Sequence, residues 1–209
     1  MTSTTEPADR IARRQVDKFE ERRRQLADAA LRTLSELGYA RTSLREIAQN
    51  SEFSHGVLHY YFRDKVDLIT SCVRQYKAHC VQRYDSIVAT ADDPEGLLRG
   101  VADGLAATLS QDALMHRLWY DLRTQSLFEE GFRADVAEID DSLERMIWRT
   151  VGAYAGLVGA APTCTPAFAY ATVDGLFQQA LLRHLAGVPD ALDALRAGVR
   201  RQLPTLVGG

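Results

Sequence analysis

The sequence predicts an all-α protein, with an N-terminal helix-turn-helix domain of three helices followed by a larger C-terminal helical bundle. Three observations predict it. Apolar residues recur at helical spacing along most of the 209 residues, with no strand-like alternation and no internal repeat. Ser, Thr, Asp, Pro and Gly punctuate that pattern at ordinary helix lengths. The stretch Thr42–Lys65, TSLREIAQNSEFSHGVLHYYFRDK, holds two short helices, a tight turn between them and the start of a third.

Residues 1–15 are polar and are expected to form a flexible tail. There Arg10, Arg13 and Arg14 serve either as a DNA-reaching arm or as a solvated segment. The helix-turn-helix domain is placed at 16–64. Its first helix runs to Leu37, with Phe19, Ala27, Ala30, Leu31 and Leu34 on one face and Gly38 ending it. Arg22-Arg23-Arg24 reads mostly as a solvated face. Ser43-Leu44-Arg45-Glu46 is a capping box, in which hydroxyl and carboxylate satisfy each other's backbone amides. Leu44, Ile47 and Ala48 share one face, and Asn50, Ser51 and Glu52 break the pattern. Ser54 caps the next helix, with Phe53 before it as a hydrophobic staple. Leu58 and Phe62 face the core, while His55, Val57, His59, Tyr60 and Tyr61 are left outward or at the edges. Gly56 falls in the first turn, where glycine costs about 1 kcal/mol. That cost suggests a close approach of the backbone to a partner, and a DNA base edge qualifies. Asp64 caps the following helix and puts Lys65 in its first turn. A lysine there opposes the helix macrodipole, and a phosphate shared with the free amides resolves the conflict. Together these parts suit a motif that lays one helix across the DNA backbone and another in the major groove.

The third domain spans 65–209. Ile69, Cys72, Val73, Tyr76, Cys80, Tyr84 and Ile87 keep helical spacing to about Ala89, a helix of roughly 25 residues and about 37 Å. Asp93-Pro94-Glu95 starts another, carrying Leu97, Leu98, Val101, Leu105 and Leu109. Further helices are expected at about Asp112–Leu127 and Glu129–Tyr154, with Gly152, Gly156, Gly159 and Pro162 marking a frayed end or loop. Thr165-Pro166 opens a helix to about Leu185, closed by Gly187, and Pro189-Asp190 opens the last.

The formal charge of −3 does not by itself point to nucleic acid. Residues 1–65 carry 12 Lys/Arg against 10 Asp/Glu, while 66–209 carry 13 against 18. DNA affinity is therefore expected from placed contacts and dimerisation rather than from a broad positive field. Cys72, Cys80 and Cys164 lack metal-ligand spacing, and a sparse odd set suits a reducing cytoplasm. No signal-peptide stretch is read at the N-terminus, and the apolar run Val151–Pro162 is too short to cross a membrane. No metal and no cofactor are expected.

The segment Lys18 to about Ile69 resembles the DNA-binding domain of the tetracycline-repressor (TetR) family. The resemblance rests on Gly38-Tyr39, Thr42-Ser43, Ile47-Ala48, Ser54-His55-Gly56-Val57-Leu58-His59-Tyr60-Tyr61-Phe62 and Lys65. Three positions depart from the usual pattern: His59 for tyrosine, Tyr61 for histidine, and Glu52 for the glycine that commonly closes the second helix. The first two keep a hydrogen-bonding aromatic. The third is expected to cost about 1 kcal/mol at most, if a left-handed backbone is needed. The resemblance implies that Arg45, His55, Gly56, Val57 and Tyr60 approach base edges of double-stranded DNA. It also implies that Thr42, Ser43, His59, Tyr61 and Lys65 hold phosphates. A near-palindromic operator and a homodimer built on the last two long helices follow from it, with Phe168, Thr172, Gly175, Leu176, Phe177 and Ala180 in the seam. A small apolar or aromatic effector is expected among Tyr84, His116, Trp119, Tyr120, Arg123, Trp148 and Tyr154, where aromatics and a few polar groups recur. Arg123 suits a carboxylate or phosphate unless Asp121, Glu129 or Asp135 neutralises it, and a cage of Trp119, Tyr120 and Trp148 suits a cation. Read without the resemblance, the same aromatics are equally a packed core.

The expected function is a cytoplasmic repressor released from its operator by a small molecule. The alternative is a DNA-binding regulator without an effector. A helical enzyme stands third, because no phosphate loop, His-Glu-x-x-His, Cys-x-x-Cys or Gly-x-Ser-x-Gly is present.

Overall fold

The computed structural model describes residues 7–38 and 42–208, with side chains from residue 16 onward except those of 35 and 37. Tyr39 and the side chains of Arg10, Arg13 and Arg14 lie outside that set. The chain divides into two compact units, residues 1–75 and Tyr76–Gly209, so the division falls inside a helix rather than at Lys65.

In the first unit, α1 spans Pro7–Leu37, α2 Leu44–Gln49 and α3 His55–Tyr61, and α4 (Lys65–Thr90) begins. The helix thus starts at Pro7, and residues 7–15 are helical where the sequence reading had a loose tail. Gly38 ends α1 at φ 75°, its amide donating to the Leu34 carbonyl at 2.8 Å. A left-handed residue there is the usual helix stop, and glycine takes it without a Cβ clash. The capping box forms: the Glu46 amide donates to Ser43 Oγ at 3.2 Å and the Ser43 amide to Glu46 Oε2 at 2.8 Å. The Val57 amide donates to Ser54 Oγ at 3.3 Å, starting α3, and the Asp67 amide donates to Asp64 Oδ1 at 2.8 Å, starting α4. Leu26, Leu34, Ile47, Leu58 and Phe62 are buried together with Leu68 and Ile69. The Cys72 thiol donates to the Ala27 carbonyl at 3.1 Å, tying α4 to α1, and burial pushes it well above its ordinary range. Among the described residues no non-glycine has positive φ, so Glu52 carries none of the strain expected of it.

The second unit continues α4 and adds α5 (Pro94–Gln111), α6 (Ala113–Gln125), a 3-10 turn Glu130–Phe132, α7 (Arg133–Val158), α8 (Pro166–Leu185) and α9 (Ala191–Gln202). Asp93 starts α5 by accepting from the Gly96 amide at 2.8 Å, with Pro94 at the first helical position. α5 packs on α9, and α8 lies against both α7 and α9. Salt bridges from Arg196 to Asp103 and from Arg200 to Glu95 tie α9 to α5. α4 and α5 approach closely at Gly104, where an added Cβ would stand 3.0 Å from the Ile87 side chain and 3.3 Å from the Tyr84 ring. A two-residue antiparallel pair, β1 (Ala161–Pro162) with β2 (Val207–Gly208), is the one piece of sheet among the described residues. It is too short to leave an alternating pattern in the sequence. No described helix is long and apolar enough to cross a membrane.

Candidate functional site

The first unit presents α3 as its exposed helix. Leu58 is fully buried, whereas His55, Gly56, His59 and Tyr60 are exposed and Val57 and Tyr61 half-buried. Tyr60 is 72% exposed, its ring braced edge-on by Tyr61 at 5.0 Å and Phe19 at 6.0 Å. Tyr61 lies 4.8 Å from the Phe19 ring, and the His55 and His59 rings stand 4.4 Å apart. An added Cβ at Gly56 would meet nothing within 4 Å, so a partner can come close to that backbone. Arg45 and Ser43 are exposed on α2 and its cap, and Lys65 is half-buried in the first turn of α4. Thr42 differs from expectation. It is 4% exposed, and its hydroxyl donates to the Gly38 carbonyl at 2.6 Å, so it is tied to the end of α1 instead of facing outward.

The second unit contains a cavity with about 50 Å³ open to the centre of a water-sized sphere. At ~10–15 Å³ per water, that is room for a few waters or a ligand of few heavy atoms. α4 contributes Lys77, Cys80 and Tyr84; α5 Leu105 and Thr108; α6 His116, Trp119 and Tyr120; α7 Leu143, Met146 and Ile147; α8 Tyr170, Val173, Asp174 and Phe177. Two polar groups of residues meet this largely apolar wall.

The first is centred on Lys77, which is 7% exposed. Its Nζ lies 3.3 Å from His116 Nδ1, 5.3 Å from the Trp119 ring centroid and 5.9 Å from that of Tyr76. Burial lowers its pKa to about 8. Burial, reinforced by the charge of Lys77, holds His116 well below its ordinary range. A neutral imidazole accepting at Nδ1 is protonated at Nε2, and Nε2 lies 3.1 Å from the Tyr76 hydroxyl, which donates to Asp112 Oδ2 at 2.9 Å. This network assigns the tautomer.

The second is centred on Arg123. It donates to Asp174 Oδ2 at 2.7 Å and lies 3.3 Å from Asp140 Oδ2. The Tyr120 hydroxyl donates to Asp174 Oδ1 at 2.8 Å and the Tyr170 hydroxyl to Asp140 Oδ1 at 2.5 Å. Burial lowers the Arg123 pKa, but the Asp174 hydrogen bond together with the charges of Tyr170, Asp174 and Asp140 outweighs it, and the guanidinium stays charged. Burial raises the Asp140 carboxyl despite the Tyr170 hydrogen bond and Arg123. Arg123 is therefore neutralised by Asp174 and Asp140, on two other helices. Elsewhere on the wall, Thr108 Oγ1 accepts from Tyr84 at 3.2 Å and from Arg83 at 2.5 Å.

Residues 26–72 match the family model of bacterial regulatory proteins, tetR family. That match covers the helix-turn-helix segment, and there the chain is similar to the tetR family of bacterial regulatory proteins. It is 32% identical over 85 residues to the HTH-type transcriptional regulator BetI of Yersinia pestis (strain Pestoides F), covering 40% of this chain and 43% of that one. The chain spans about half the length of the curated relatives it matches. Its fold is similar to a crystal structure of a TetR transcription regulator from Haloarcula marismortui, with TM-score 0.73 and 17% identity over 90% of this chain and all of that one. It is also similar to a putative transcriptional regulator from Saccharomonospora viridis in complex with choline, with TM-score 0.71 and 20% identity over 91% of this chain and all of that one.

Of the residues expected at an effector site, Tyr84, His116, Trp119 and Tyr120 line one cavity. Arg123 sits behind the wall in its ion pairs, and Trp148 and Tyr154, both half-buried, are not among the lining residues. Of the residues assigned to a dimer seam, Phe168 and Gly175 are exposed and Thr172 and Leu176 half-buried. Phe177 and Ala180 are buried within the chain, and the Phe177 ring lies 4.6 Å from His116 in the cavity. Lys77, Tyr170 and Asp174 were not assigned to the cavity from the sequence. Lys77 left a usable signal, since it stands on the apolar stripe of α4, four residues after Val73 and three before Cys80. Tyr170 and Asp174 are likewise four apart on α8, but nothing local tells which face of α8 turns to α6.

Proposed function

We propose that this protein is a sequence-specific DNA-binding transcriptional repressor. It acts as a cytoplasmic homodimer on a near-palindromic operator, and a small molecule seated in the second unit releases it. The observation that carries the reading is α3. Leu58 anchors the helix while His55, Gly56, His59 and Tyr60 stand exposed together, in the segment that matches the tetR family model. Base edges in a major groove require donors and acceptors on a rigid exposed helix, and these side chains supply them. Arg45, Val57, Tyr61, Ser43 and Lys65 flank them, toward bases or phosphates. The exposed Phe168, Ala171, Gly175 and Leu182 form a stripe of small and large apolar residues on α8, suited to a second copy of the same helix. The cavity and the ligand-bound fold relative support the effector half of the reading.

The test is a gel-shift series on DNA upstream of the protein's own gene. Tyr60→Ala is expected to relax specificity and cost about 1–3 kcal/mol, and Lys65→Ala to weaken all sequences alike and flatten the salt slope by about one. Wild-type affinity in the double variant overturns the assignment of α3.

A further inference from the structure

We infer that the cavity of the second unit takes a small carboxylate, held by the Lys77 ammonium and the Trp119 indole N–H. This rests on the effector reading above. Both groups are buried donors that are incompletely satisfied among the described residues: Lys77 lacks an anionic partner and the Trp119 N–H lacks any acceptor. Lys77 is 7% exposed, and among the described residues no carboxylate lies within ion-pair distance of its Nζ. Among the described residues its hydrogen-bond partner is the neutral His116 imidazole, and the faces of Trp119 and Tyr76 lie beside it. Trp119 is 1% exposed, and its Nε1 has no hydrogen-bond partner. A buried polar group without a partner is costly, and a buried charge more so. Both costs fall on donors that line the same cavity, so a ligand oxygen bearing negative charge relieves them.

The remaining charges agree. Asp140 and Asp174 are committed to Arg123, Tyr120 and Tyr170, so either would give up an ion pair and a tyrosine hydrogen bond to move to Lys77. A cation is disfavoured, because the Trp119 face is already taken by Lys77 at 5.3 Å and Arg123 at 5.7 Å. An incoming ammonium would meet two like charges with no free carboxylate. The apolar remainder of the wall, Leu105, Leu143, Met146, Ile147 and Val173, suits a short hydrocarbon chain. The available volume limits that chain to a few carbons unless side chains move.

The experiment uses the full chain without DNA. Acetate, butyrate, hexanoate and octanoate are titrated against butyramide, butylamine and choline, followed by calorimetry and by fluorescence of the two tryptophans, Trp119 and Trp148. At least one carboxylate is expected to bind about tenfold or more tighter than butyramide, and neither cation to compete. Lys77→Met is expected to remove that preference while keeping the helical circular dichroism. The wild type gives a second measurement should the variant not fold: the ratio of carboxylate to amide affinity is expected to fall as pH rises through about 8, where Lys77 loses its proton. The other titratable or charged groups around Lys77 are His116 and Arg123 on α6, Cys80 and Tyr76 on α4, Asp140 on α7 and Asp174 on α8. His116 is held well below its ordinary range and Tyr76 is pushed far above its own by burial, so neither changes charge near pH 8. Preference for a cation or the amide, no binding by any carboxylate, or an unchanged preference in Lys77→Met overturns the inference. Carboxylate binding by a protein that fails to bind operator DNA even without ligand would overturn the regulator reading and leave this one standing.

Discussion

Lys77 sets a pH dependence that can be read without any ligand. Its pKa is about 8 when folded, against 10.5 for the free side chain. Below pH 8 both states carry the proton and the fold bears the full cost of a buried ammonium. Between the two values the unfolded chain binds more protons than the folded one, so this residue's contribution to stability rises with pH. Denaturant unfolding of the wild type and Lys77→Met is therefore expected to show the variant's advantage shrinking between pH 8 and 10.5, by about 3 kcal/mol at most. The buried Cys72 thiol works in the opposite sense, since the unfolded thiol ionises first, but it is common to both proteins and cancels. A difference that does not change with pH would mean that Lys77 is not desolvated.

Single elements carry two further predictions. α2 is only six residues long, too short to persist by helix propensity alone, and depends on its cap and on burial of Leu44 and Ile47. Ser43→Ala removes the acceptor for the Glu46 amide and is expected to cost about 1 kcal/mol, read as a lower denaturant midpoint. Since α2 supports the exposed α3, DNA affinity should fall with it. On α8, Phe168 and Leu182 are 59% and 56% exposed, so charging them does not invade the chain's own core. Phe168→Asp with Leu182→Asp is expected to give a folded monomer by light scattering, as against a wild-type dimer. Phe177→Asp would instead bury a charge beside His116 and is a poor probe of assembly. A wild-type monomer at micromolar concentration ends the dimer proposal.

At the scale of the molecule, one covalent element belongs to both compact units: α4 runs without a break from Lys65, at the proposed DNA face, through Lys77, Cys80 and Tyr84 in the cavity wall. If ligand and operator favour different states of the protein, their coupling is reciprocal. Saturating operator DNA is then expected to weaken effector binding by the factor, typically about 5- to 150-fold, by which the effector weakens DNA binding. Calorimetry with and without operator measures one factor and gel shift the other. Equal ligand affinity in both states would leave a DNA-binding protein that its cavity does not control.

The sequence by itself determined what depends on near neighbours along the chain. Capping at Ser43, Ser54, Asp64, Asp93 and Thr165, the stop at Gly38 and the bounds of α8 all act within one helical turn, so spacing alone exposes them. The exposed set on α3 was legible for the same reason, because Leu58 and Phe62 fix which side is buried. What the tertiary structure decided is which helix faces which. That choice put Phe177 in the cavity instead of a seam, left Trp148 and Tyr154 out of it, and paired Arg123 with Asp140 and Asp174 on two other helices. It also turned Thr42 inward and Lys77 into an apolar wall. Each of these follows from packing between segments distant along the chain, whose free energy depends on shape and burial across helices and leaves no periodic mark on either one.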